Sequence, residues 1–240
     1  MPRLALLISL CVAALSEDLT FSLPPVKTSI DAGGQAVTIV ATGTVTGNQQ
    51  AVRVKVSADL SDLQDHITDL LRAQLNRSDR CGERLSVDRA AIQPAAPSAA
   101  LTASVHYEKW ACVKALGKQI TKRIVGGNAT IPVKLTPVVS EKREVTLTGE
   151  VGEIQADGSL GEALRSGSLG PTLQEKIRTS ILAALDKSTS FRTALPDSVA
   201  GVAKISDAAF GDSGAGHLSF DLAGEISAPF DQIRAMIQRK

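Results

Sequence analysis

The residues whose types most often do chemistry, the three histidines, are scattered. His66, His106 and His217 lie far apart, and no pair has the helical or loop spacing of a metal site. Each is expected to be solvated or singly hydrogen-bonded, and no metal or cofactor is implied. Asp62, Asp65 and Asp69 make an acidic helix edge, which the dipole of a helix favours near its N-terminus; weak cation binding is the alternative. The densest polar feature is basic. Lys109, Lys114, Lys118, Lys122 and Arg123 crowd one segment with Trp110 among them, and Glu108 is its sole acid. Such a run fits contact with anionic head groups at a membrane surface, with the tryptophan at the interface. It equally fits a solvated hairpin end whose lysines discourage edge pairing. One tryptophan and no stacking series argue against single-stranded nucleic acid.

Two segments carry a resemblance that must be weighed. Arg123-Ile124-Val125-Gly126-Gly127 looks like the activation site of trypsin-like serine proteases, and Gly211-Asp212-Ser213-Gly214 looks like the segment around their nucleophile. The resemblance implies Ser213 as attacking group and a histidine base oriented by an aspartate. No histidine lies between Gly127 and Ser213, and the interval is too short for the two barrels of that fold. A glycine turn at 126–127 and a flexible hairpin loop at 211–216 account better for both segments. An enzyme is not expected.

The elements that position these residues start from composition. The chain has 240 residues, 43 % of them apolar and 21 % charged, ordinary for one globular domain with a real core. Aromatics are 3 %, so the core must come from Leu, Val, Ile and Ala. The net charge of +1 supplies no whole-molecule field toward nucleic acid or acidic partners. Met1-Pro2-Arg3 followed by Leu4–Leu15 reads as a signal peptide of residues 1–16, cut after Ser16, with a single domain over 17–240; a buried first element is the alternative. Leu10 before Cys11 is too large for a lipidation site. Export leaves Cys81 and Cys112, which are expected to pair, two buried thiols being the alternative. They lie equally far from the middle of Pro94–Ala99, a segment that should turn the chain between Leu85–Ile92 and Leu101–Tyr107. A hairpin there brings them within disulfide reach.

Alternation of period two predicts strands near 37–46, 52–58, 131–135, 145–151, 202–210 and 217–226. Pro24, Pro25 and Gly33-Gly34 suggest an opening loop, and Gly126-Gly127-Asn128 a turn. Leu60, Leu63, Ile67, Leu70, Leu71 and Leu75 form a helical stripe, with Ser61 and Gln64 at capping-box spacing. A second stripe, Leu173, Ile177, Ile181, Ala184 and Leu185, follows Pro171, and Phe230, Ile233 and Ile237 mark a short C-terminal helix. The order predicts an α+β fold: a long, curved antiparallel sheet wrapped along two amphipathic helices. By element order over residues 37–227 this layout resembles the tubular lipid-binding superfamily of bactericidal/permeability-increasing protein. That resemblance implies an apolar groove and carries no functional residue across.

The expectation is therefore a non-enzymatic secreted or periplasmic protein. It would hold a lipid or other apolar ligand in a groove lined by Leu63, Ile67, Leu71, Ile177, Ile181 and Leu185. A structural or protein-interaction role with a filled core is the alternative, because cavity and core share one sequence pattern.

Overall fold

The computed structural model describes residues 19–32, 34–47, 52–78, 81–115, 118–140, 145–166, 170–172, 174–175, 178–179 and 203–226. In chain order the elements are β1 (Leu19–Ala32), β2 (Gln35–Gly47), β3 (Val52–Asp59), α1 (Ser61–Leu75), β4 (Arg77–Ser78), β5 (Gly82–Ala95), β6 (Ser98–Ala115), β7 (Lys118–Val139), β8 (Val145–Val151), β9 (Gln155–Ala156), α2 (Gly158–Arg165), β10 (Ala203–Asp212) and β11 (Leu218–Ile226). The strands form two antiparallel sheets, ordered β1-β2-β3-β11-β10 and β4-β5-β6-β7-β8, with β9 on the far edge of β7.

This corrects the expected α+β fold of one long sheet wrapped along two helices. The protein is mostly β-sheet, its strands divided between two sheets. Two local signals misled. The opening loop is the edge strand β1; its Pro24-Pro25 pair falls where the register with β2 slips between Leu23 and Val26, a bulge at an edge, where proline is tolerated. Gly126-Gly127 is not a turn but the middle of β7, opposite Glu108 and Tyr107. A Cβ on Gly127 would run into the carbonyl oxygen of Asp157, so glycine is required there by close approach of another backbone. Residues 158–165 form α2, which sinks Leu160 and Leu164 into the core. The stripe through Ile177, Ile181 and Leu185 and the short C-terminal helix lie outside the described residues.

Period-two alternation builds the core. Ala99, Leu101, Ala103, Val105 and Tyr107 of β6 and Ala129, Ile131, Val133 and Leu135 of β7 all point inward and are buried. Leu60, Val87, Ile92, Phe210 and Leu218 join them, so the main core draws on both sheets. A smaller cluster on the first sheet centres on Val45 and Val52. Pro132, in mid-strand, has its carbonyl bound by the N–H of Gly152 (2.8 Å). Its missing N–H falls in the gap between the β8 pairing, which begins at Val133, and the β9 pairing at Thr130.

α1 lies along the edge of β5 that β4 leaves uncovered. Four polar residues spaced by four close that edge. Gln64 donates to the Ile92 carbonyl (2.9 Å) and Arg72 Nε to the Val87 carbonyl (2.9 Å). Thr68 donates to the carbonyl of Ala90 and accepts from its N–H, while Asn76 accepts from the N–H of Val87 (2.8 Å). Side chains thus do what another strand would do for an open sheet edge. Gln64 does not close a capping box. Its amide donates also to the Gly216 carbonyl (3.0 Å) and accepts from the Leu218 N–H (3.0 Å), tying β5 to the start of β11.

Candidate functional site

Among the described residues, the ribbon of β6 and β7 outruns the rest of its sheet. Pairing of β5 with β6 ends at Gly82 opposite Trp110, whereas β6 and β7 stay paired out to Ala115 opposite Lys118. Beyond Trp110 the second sheet therefore narrows to two strands, here called the arm. The Cys81–Cys112 disulfide, its Cα atoms 5.5 Å apart, staples the start of β5 to the base of the arm. The pairing agrees with the spacing in the sequence. The register is not the symmetric one, because a bulge between Val87 and Arg89 displaces the partners by one residue. Such a bond is compatible with an extracellular or periplasmic location.

Glu108 organises the base of the arm. It accepts from the Trp110 indole (2.8 Å) and from Arg123 (3.0 Å), with His106 at 3.6 Å and Arg84 at 3.9 Å. The indole hydrogen bond, then Arg123, hold its carboxyl below the usual carboxylate range. Arg84 stacks 4.6 Å above the Trp110 ring, and Lys109 pairs with Glu83 at 3.0 Å. Of the six residues expected at a membrane surface, Lys109, Trp110 and Arg123 are thus engaged at the base. Lys114 and Lys122 are exposed further out and form no ion pair among the described residues. Lys118 opens β7, and its side chain lies outside the described residues.

The residues that sequence reasoning missed are apolar. Val113, Ile120 and Ile124 are 60 %, 56 % and 62 % exposed. Val113 and Ile120 are directly paired across the ribbon, and Ile124 is the extra residue where β7 bulges between its partners to Lys109 and Trp110. The signal was in the sequence: the inward alternation of Val105 and Tyr107 continues in step to Val113 after the core has ended.

The groove lining fares differently. Leu63, Ile67 and Leu71 pack against the main core; Ile177, Ile181 and Leu185 lie outside the described residues. A cleft of about 280 Å³ opens elsewhere, beside α2, where Ile154, Leu164 and Arg165 are among the lining residues.

Among the described residues, the groups suited to acid–base or nucleophilic work do not assemble into a catalytic set. His106 Nδ1 lies 2.8 Å from the Asn128 side-chain oxygen, and this bond, followed by Glu108, raises the affinity of the ring for a proton. Asn128 in turn gives both its backbone and side-chain N–H groups to Asp157 (2.7 and 3.0 Å), holding that carboxyl below its usual range. The nearby Ser159 hydroxyl accepts from the Gly126 N–H and donates to its carbonyl; the network latches α2 onto β7. Ser61 lies 3.2 Å from His217 Nδ1, but its hydroxyl donates to Asp59 at 2.5 Å, so the imidazole has no serine proton to take. Asp59 lies below its usual range chiefly through Ser61. Ser213 donates to the backbone carbonyl of His217 (3.3 Å), and Asp212 binds the N–H groups of Gly214 and Gly216. That is the geometry of a tight loop, with Gly214, Ala215 and Gly216 all at positive φ. No cluster of metal-ligating side chains occurs among the described residues, and none of their helices is long and apolar enough to cross a membrane.

No family model, no curated protein and no solved structure matches the chain. The likeness to tubular lipid-binding proteins rests on element order, and these comparisons do not bear on it.

Proposed function

We propose that this chain is a non-enzymatic binding protein, secreted or periplasmic, whose working surface is the β6–β7 arm. The observation that carries the reading is the exposure of Val113, Ile120 and Ile124 together on one ribbon. Isolated exposed aliphatics are ordinary, whereas a cluster on a projecting, braced element is the usual mark of a contact surface. The disulfide and the Glu108 hub hold the base of the arm in place, which lowers the entropy lost on binding. An apolar cargo held against α1 has less support, because Leu63, Ile67 and Leu71 are already spent on the core.

The test places a photo-crosslinking residue at 113 or at 120, with exposed Thr148 on β8 as control position, and irradiates the protein in its native compartment. The reading expects adducts at both arm positions and fewer at 148. Equal yields at all three positions, or a bound apolar molecule in native mass spectra with no arm adduct, would overturn it.

A further inference from the structure

We infer that the partner of the arm is the anionic surface of a lipid bilayer, an inference that rests on the arm being the working surface. Charge is the first argument. Residues 109–124 contain Lys109, Lys114, Lys118, Lys122 and Arg123 and no acid, in a chain whose net charge is +1. Glu83 and Glu108 compensate Lys109 and Arg123 at the base. Lys114 and Lys122, exposed further out, have no such partner among the described residues, so positive potential is concentrated away from the body. Anionic head groups complement that distribution.

Amphipathic placement is the second argument. Val113 and Ile120 share one face of the ribbon with Lys122, which is paired to Ala111, and Lys114 lies on the opposite face. Aliphatic side chains bounded by lysines suit the boundary between head groups and acyl chains. There the apolar part enters to a depth of about 5–10 Å while lysine stems extend back toward phosphate. A protein partner would require more: a stable interface buries roughly 800 Å² on each side around an apolar centre. Three aliphatics separated by cations on a two-stranded ribbon supply no such centre.

The experiment is co-sedimentation of the full chain with phosphatidylcholine vesicles, with and without phosphatidylglycerol. Binding is expected only when phosphatidylglycerol is present, and it should weaken as salt shortens the screening length. Lys114→Ala combined with Lys122→Ala should weaken it about 25-fold, at about fivefold per cation near an anionic surface. Val113→Ser combined with Ile120→Ser should weaken it about tenfold by removing apolar insertion. These positions are exposed, and unchanged Trp110 fluorescence and disulfide mass verify the fold of each variant. Equal binding to both vesicles, binding to neither, or indifference to both double variants would overturn the inference. If vesicles fail while position 113 crosslinks to a protein, the lipid partner is wrong and the arm remains the working surface. If both fail, the arm reading falls as well.

Discussion

Gln64→Leu tests whether one side chain joins the two sheets. The substitution keeps most of the bulk and removes three hydrogen bonds: those to the Ile92 and Gly216 carbonyls and from the Leu218 N–H. Gly216 is exposed, and water can replace its partner. Leu218 is 0 % exposed and Ile92 is 4 % exposed, so their polar groups would stay unpaired. An unsatisfied buried group costs about 1–3 kcal/mol, so the two together should cost about 2–6 kcal/mol. That is a large part of the roughly 5–15 kcal/mol by which a domain is stable. The control is Gln74→Leu, the same replacement at an exposed position of α1, expected within about 0.5 kcal/mol of the parent. Urea unfolding followed by circular dichroism and by Trp110 fluorescence should show a lower midpoint for Gln64→Leu with an unchanged slope. Equal midpoints for the two variants would refute the reasoning, because the loss would then not come from stranded polar groups.

Two further outcomes follow from the geometry. Tyr107, the single tyrosine, has its hydroxyl pushed up to about 12 by burial and then by the charge and hydrogen bond of Glu83. Ultraviolet titration of the folded protein should therefore find the phenolate well above the ordinary value of 10.0. Because the fold favours the protonated form, this contribution to stability is complete below the unfolded value and is lost as pH rises toward about 12; ionisation near 10 in the native state would contradict the burial. Gly127→Ala should cost about 1–3 kcal/mol, because the new methyl meets the Asp157 backbone and α2 must shift. Gly126→Ala should cost less, since its nearest neighbour is the flexible Arg123 side chain at 3.3 Å. Thermal midpoints in the reverse order would sink that account.

The arm shows how far a linear reading reaches toward a site. Its cations were legible, since charge is visible in any order of residues. Its apolar residues were legible only as an alternation that runs on past the core; that Val113 and Ile120 stay exposed is a fact of the fold. The helix stripe poses the same question. Leu63, Ile67 and Leu71 have the spacing of a groove lining and of a core face alike, and only their neighbours decide between them.

What the sequence determined alone is what depends on near neighbours. Alternation marks β2, β3, β6 and β8, three-and-four spacing marks α1, and the two cysteines on either side of one turn mark their bond. What the tertiary structure decided depends on atoms far along the chain. Gly127 is glycine because the backbone of Asp157 crosses it, and Gln64 is glutamine because Ile92 and Leu218 meet at its amide. The division of the strands into two sheets is of the same kind. Antiparallel pairing needs each strand only to be extended and half apolar, so local pattern cannot say which strands become neighbours; burial of both inner faces in a common core does.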